Sequence, residues 1–300
     1  MKTVIFAGGK GSRLIEETQV RPKPLVEIGG RPIIWHIMQH FSTYGHDEFV
    51  IGLGYMGHMI KKYIADLCQY GGNLRIDFAR REMLGQRPDE NDDPRPPWIV
   101  DLIDTGEETM TGGRLARLRK FVGDETFMLT YGDGVSDVDI EALVNFHKSH
   151  GKLATITMVR PLTSFGHLDV RKNGLVAGFQ EKPATAADWI NGGFFVLEPE
   201  VFDAVADVNG DDIMWELGPL PKLMEMGQLM AYRHSGFWYC MDHLADKRLL
   251  EEMWKNGDRR WATWEKDRSG DRSSGIRRDS GSAGIGRGGH PSDWVRYQSL

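Results

Sequence analysis

Short apolar, β-branched runs alternate with amphipathic stretches along the first half of the chain. KTVIFA is followed by PIIWHIMQHFSTYG, EFVIGLG and HMIKKYIADLCQYG. The pattern passes from compact strand-like runs to helix-like spacing and back, which predicts strand, helix, strand, helix. WIVDLID and TFMLTYGDG extend the series, with GRLARLRKFV and DIEALVNFHKSHG as helices between and after them. A mostly parallel sheet with helices on both faces is the economical packing of such a series, so the fold class is α/β. The second half is richer in strand-like runs: KLATITMV, HLDV, LVAGFQ, GGFFVL and QLMAYRH, interrupted by a helical DDIMWELGPLPKLMEMG. Mixed or antiparallel additions to the sheet are expected there.

Two stretches break the pattern. LGQRPDENDDPRPP, residues 84–97, is acidic and proline-rich, and predicts an exposed loop or subunit arm. Beyond Glu265, glycine, serine and arginine dominate. Residues 266–300 are therefore expected to form a disordered tail on a domain spanning 1–265. That domain is large enough for one sizeable core, with 40% hydrophobic residues in the whole chain.

A net charge of −6 argues against nucleic acid or an anionic membrane as partner, so any phosphate chemistry must rely on local cations. The two cysteines, Cys68 and Cys240, lack metal or redox spacing and suit a reducing cytoplasm. No apolar run reaches the ~18 residues of a membrane span, and the first residues do not read as a signal peptide.

Chemistry concentrates where predicted strands end, the place where open α/β sheets bind ligands. AGGKGSRL, residues 7–14, runs from a strand into glycines and cations. It is neither the dinucleotide fingerprint, which needs glycine where Leu14 stands, nor the P-loop. Gly8, Gly9 and Gly11 still allow backbone N–H groups to converge on an anion, with Lys10, Ser12 and Arg13 beside them. A tight turn with two solvated cations is the plainer alternative. Lys23 lies between prolines in RPKPL, and Asp133 between glycines in YGDG. Asp242 follows GFWYCM. Two carboxylates plus phosphate-directed cations suit Mg²⁺, although strand-end aspartates also serve as turn or cap residues. Lys182 in FQEKP could meet a second phosphate. DTGEETMTGGRL, residues 104–115, offers Thr109, Thr111 and Arg114 to a nucleotide, or is simply a capped helix start. His36 and His40 show no metal spacing and read as core or surface residues.

AGGKGSRL, RPKPLVEIGGRPIIWHIM, YGDGVSD, FQEKP, INGGFFVLEPEVF and GFWYCMDHLADK occur in the order that characterises sugar-phosphate nucleotidyltransferases, and the chain resembles that family over residues 1–265. IGGRPIIWHIM, DTGEETMTGGRL and WKNGDRRWATWE resemble its glucose-1-phosphate cytidylyl branch. The resemblance implies a three-layer Rossmann-like fold, CTP and α-D-glucose 1-phosphate as substrates, and CDP-glucose and pyrophosphate as products. It implies Mg²⁺ on Asp133 and Asp242, and Arg13 and Lys23 on the triphosphate. Lys182 would bind the sugar phosphate, while Gly166, Glu181 and Asn191 would line the sugar pocket. Thr109, Thr111 and Arg114 would bear on the nucleotide, and the protein would be a homo-oligomer. Lys10 and Ser12 stand where that branch has leucine and threonine, and Tyr239–Cys240 where it has glutamine and proline. UTP or dTTP as donor, and a non-catalytic nucleotide sensor, are the competing expectations.

Overall fold

The computed structural model describes residues 1–70, 74–77, 82–86, 96–161, 167–170, 175–180, 189–265 and 294–296. An eight-stranded sheet runs in the order Ile190–Asn191, Ala154–Val159, Phe195–Leu197, Phe127–Tyr131, Thr3–Ala7, Glu48–Leu53, Ile99–Asp104, with Leu229–Arg233 pairing with Ala154–Val159. The last four strands of the ordered series are mutually parallel. Phe195–Leu197 and Ile190–Asn191 pair antiparallel, and Leu229–Arg233 returns to parallel. The sheet is thus mixed and mostly parallel, with its antiparallel members drawn from the second half.

All five residues of the central strand Thr3–Ala7 are buried, which is what a strand covered on both faces requires. Alternation assigns its side chains to opposite layers. Val4 and Phe6 pack with Leu115, Leu118, Trp215 and Leu220, whereas Ile5 and Ala7 pack with Ile33, Ile37, Phe41 and Trp261. One face is therefore closed by helices Thr111–Val122 and Pro219–Glu225. The other is closed by Ile33–Thr43, Ile140–His150 and Leu244–Lys255. Helix Ile140–His150 starts at Asp139, whose side chain accepts from Ala142 N at 2.9 Å, and stops at Gly151 in the left-handed conformation.

A tight hairpin, Glu27–Ile28 with Arg31–Pro32, turns through Gly29 and Gly30, both at positive φ. Gly29 is needed twice over, because a Cβ there would fall 2.1 Å from the Trp254 indole nitrogen. The hairpin anchors the segment Leu244–Glu265 to the body, with Gly29 N donating to Glu251 at 2.8 Å.

Two expectations change. Leu84–Gln86 belongs to strand Glu82–Gln86, paired with Leu74–Asp77, so the anticipated loop begins no earlier than residue 87; residues 87–95 lie outside the described residues. Within 266–300 only 294–296 are described, and Trp294–Arg296 forms a strand against Glu82–Gln86. Its tryptophan and valine supply the β-favouring side chains that the glycine- and serine-rich composition of this stretch masks.

His36 and His40 are core residues. His36 Nε2 pairs with Ile28 O at 2.9 Å while its Nδ1 accepts from the Trp261 indole at 3.3 Å, a pairing only the neutral ring allows. Burial lowers both imidazoles from 6.5 to about 4. Below pH 6.5 the unfolded chain therefore binds protons that the folded chain refuses until about pH 4. Stability should fall as pH drops through that window, by about 1 kcal/mol per histidine per pH unit. Urea denaturation at a series of pH values measures the slope, and it should flatten in His40→Gln.

Candidate active site

The carboxyl ends of the parallel strands open into a cleft of about 460 Å³. Gly8, Gly9, Lys10, Gly11, Ser12, Arg13, Lys23, Thr109, Thr111, Arg114, Asp133 and Asp242 all line it. Asn191 sits at its edge through a hydrogen bond to Tyr131 Oη at 3.3 Å. Gly166, Glu181 and Lys182 lie outside the described residues.

The first loop is shaped by Gly11, which takes φ 62° and leads into the short turn Ser12–Leu14. A Cβ there would meet Thr18 Cγ2 at 2.8 Å. Lys23 follows on a one-turn helix, Lys23–Leu25, stiffened by Pro22 and Pro24. Asp133 is delivered by Phe127–Tyr131 through Gly132, whose backbone N donates to Phe6 O at 3.0 Å and leaves no room for a Cβ. Asp242 arrives from the far end of the chain. Trp238–Cys240 pairs antiparallel with Gly134–Ser136, Cys240 stands opposite Gly134, and Met241 N donates to Asp133 O at 2.9 Å.

The two carboxylates are held by cations. Lys23 Nζ donates to Asp133 Oδ2 at 2.6 Å and to Asp242 Oδ1 at 2.7 Å, and Arg13 donates to Asp242 Oδ2 at 2.7 Å. Burial works against the charged ammonium of Lys23, but Asp133 and Asp242 outweigh it and raise its pKa above the usual lysine range. Burial likewise works against the Asp242 carboxylate, and Lys23 and Arg13 reverse that, holding it below the usual range. Cys240 is pushed up by burial and by the Asp133 charge.

Asp133, Asp242 and Cys240 each offer a ligand atom, all within 4.8 Å of one another. The Lys23 ammonium already occupies the place a cation would take between the carboxylates. Two carboxylate oxygens are a fitting protein contribution to a hard divalent ion that completes its shell with water and phosphate.

Arg114 lines the cleft from a buried position. It is 3% exposed, and its guanidinium donates to Leu53 O at 2.9 Å, Thr105 Oγ1 at 2.7 Å, Gly106 O at 2.8 Å, Gly8 O at 2.9 Å and Glu107 O at 3.2 Å. Its terminal donors are committed to protein acceptors, so it shapes the cleft wall. Thr111 is similarly engaged, accepting from Trp215 N at 2.8 Å and donating to Glu216 at 3.0 Å. Gly112 and Gly113 let this helix start press against residues 209–213, where a Cβ on Gly113 would lie 2.7 Å from Asp211 Cα.

Sequence reasoning passed over Tyr131 and Glu216. Tyr131 donates to Glu216, which also holds Thr111, and so ties the Asn191 edge of the cleft to the residue 104–115 wall. Tyr131 stands immediately before GDG, a usable signal; nothing in the sequence marks Glu216. Glu108 was also passed over. It accepts from Lys10 at 2.6 Å across the mouth, a pair exposed enough to add little stability.

Arg114→Met should remove a buried charge together with its hydrogen bonds and leave several carbonyls unpaired. A loss of about 3–5 kcal/mol is expected, measured by denaturant midpoint against the unaltered protein.

Residues 2–242 match the family described as Nucleotidyl transferase. Over 268 residues the chain is 49% identical to the glucose-1-phosphate cytidylyltransferase of Salmonella typhimurium, covering 88% of this chain and all of that one. The protein of the same name from Salmonella typhi is 48% identical over the same coverage. Among solved structures, HddC from Yersinia pseudotuberculosis superposes with a TM-score of 0.60 at 22% identity, covering 84% of this chain and 99% of its own, which shows a shared fold. The chain belongs to the Nucleotidyl transferase family.

Proposed function

We propose that the protein transfers a cytidylyl group from CTP to α-D-glucose 1-phosphate, forming CDP-glucose and pyrophosphate. The near-half identity to glucose-1-phosphate cytidylyltransferases across their full length carries the reading. The cleft supports it, because its lysines, arginine and two aspartates suit the handling of two phosphorylated substrates. The catalytic domain is taken as residues 1–265, and a cytoplasmic setting fits Cys68 and Cys240, neither of which forms a disulfide. Among the described residues no helix is long and apolar enough to cross a membrane.

The triphosphate lies on the loop of residues 8–13, where Arg13 offsets its charge and the glycines let backbone amides approach. Asp133 and Asp242 would hold Mg²⁺, which would supply positive charge to neutralise the phosphates. Lys23, released from the carboxylates, moves its ammonium to the α-phosphate, where negative charge grows during transfer. Lys182 receives the phosphate of the sugar, and Glu181, Gly166 and Asn191 receive its hydroxyls. A phosphate oxygen of glucose 1-phosphate then attacks the α-phosphorus in line. The new P–O bond forms as the α–β bond breaks and pyrophosphate departs. Repulsion between two anions is the main obstacle, so positioning and charge stabilisation supply most of the rate.

The competing donors UTP and dTTP act through the same groups. Pyrophosphate release measured with the four ribonucleotides and dTTP, each against a panel of sugar 1-phosphates, should be fastest with CTP and glucose 1-phosphate. No release with any pair would refute catalysis and favour a nucleotide-sensing protein.

Asp133→Asn should lower kcat by at least about a hundredfold with the fold intact, since it removes a ligand charge where phosphate charge must be neutralised. Lys23→Ala should lower kcat, and Lys182→Ala should raise KM for the sugar phosphate, each by about 2–4 kcal/mol. Steady-state kinetics with each substrate varied separates the two. An unchanged KM in Lys182→Ala would remove that lysine from the sugar-phosphate site.

A further inference from the structure

We infer that Asp133, Asp242 and Cys240 together form a mixed oxygen and sulfur site that captures thiophilic divalent cations of the Co²⁺, Zn²⁺ and Cd²⁺ class in the nucleotide-free protein. This goes beyond the proposed Mg²⁺ chemistry, and it rests on the reading of Asp133 and Asp242 as metal ligands.

The backbone fixes all three ligands. Cys240 lies opposite Gly134 in the antiparallel pair, one residue from Asp133, and the hydrogen bond from Met241 N to Asp133 O locks that register at 2.9 Å. Asp242 is two residues beyond Cys240 along the same segment, the spacing that returns side chains to one side of an extended chain. Their ligand atoms lie within 4.8 Å of one another. Donors at about 2.0–2.3 Å from a shared ion stand from about 3 Å apart when adjacent to more than 4 Å when opposed, so this separation suits a common cation.

A second observation points the same way. The ammonium of Lys23 sits between the two carboxylates at 2.6 and 2.7 Å, so the site already selects positive charge at its centre. An ion with only oxygen donors must displace that ammonium with help from the ligands that a nucleotide brings. An ion that prefers sulfur gains a third protein ligand and can enter without nucleotide. On binding, the Cys240 thiol releases its proton to solvent, and one S–H bond is exchanged for one sulfur–metal bond. Three anionic ligands then oppose a charge of two, and Lys23 keeps a counter-charge nearby. Hard ions gain little from the sulfur, since thiolate favours the softer ions. Capture of such an ion would occupy the proposed Mg²⁺ position and displace the lysine on which transfer depends.

The test titrates the nucleotide-free protein with Co²⁺ by absorbance and with Cd²⁺ by calorimetry, using the unaltered chain, Cys240→Ala, Cys240→Ser and Asp133→Asn. Folding of each variant is checked by thermal melting. The inference expects a sulfur-to-cobalt charge-transfer band that is lost in both Cys240 variants. It also expects Cd²⁺ affinity to fall by about tenfold or more in those variants, with Mg²⁺ affinity changed by less than about threefold. Asp133→Asn should weaken both metals. Cadmium NMR of the unaltered protein gives a reading that needs no variant, because a sulfur ligand shifts the resonance far from the all-oxygen range. Co²⁺ binding without the band, or a band that survives in Cys240→Ala and so arises from Cys68, would overturn the inference while leaving the aspartates as ligands. Failure of all divalent ions to bind, with or without CTP, would overturn both.

Discussion

Two carboxylates that share a small volume cannot both stay ionised unless positive charge lies between them. The architecture around Asp133 and Asp242 answers that constraint with Lys23, whose ammonium meets one oxygen of each, and with Arg13 on the outer oxygen of Asp242. The four residues come from the first loop, a proline-braced turn, the end of a central strand and the segment after Trp238–Cys240. Bringing them together requires the parallel core, the antiparallel return and the C-terminal helix to be in register at once. The same balance suits the proposed function: a metal ion and a triphosphate could replace the lysine and arginine contacts without leaving bare charge behind.

Much of the fold was legible because local pattern and global packing agree. KTVIFA, EFVIGLG and TFMLTY are continuous apolar runs because both faces of their strands are covered, and the helices between them carry one apolar side. The mixed pairing of the second half was legible as a tendency, not as an order of strands. INGGFFVL, of which only GGFFVL was read as a strand, contains two short ones, Ile190–Asn191 and Phe195–Leu197, separated by Gly193 and Phe194 at positive φ. Composition hid other features. Glycine and serine around Trp294–Arg296 obscured a strand, and the charged loop obscured the end of Glu82–Gln86.

At the site, sequence found residue types better than it found their partners. Gly8, Lys10, Arg13, Lys23, Asp133 and Asp242 sit in loops at strand ends, where spacing and chemistry are both visible, and all of them line one cleft. Arg114 shows a feature that spacing hides: a guanidinium 3% exposed must be satisfied by protein acceptors, and it is. Glu216 was invisible because its partners Thr111 and Tyr131 are distant in sequence and only the folded chain reveals them.

The reach of Arg114 has a mechanical consequence. Its acceptors are the carbonyls of Gly8 and Leu53, the hydroxyl of Thr105 and the carbonyls of Gly106 and Glu107, which cap the ends of three adjacent parallel strands. Those strand ends cannot separate or slide without breaking charged hydrogen bonds in a dry environment, so they move as one stiff jaw. Compliance is left to the long side chains that stand on that jaw, Lys10 and Arg13, both more than half exposed and each held by an ion pair. The cleft therefore has a fixed back plate and adaptable grips, a combination that suits the charged substrates proposed for it.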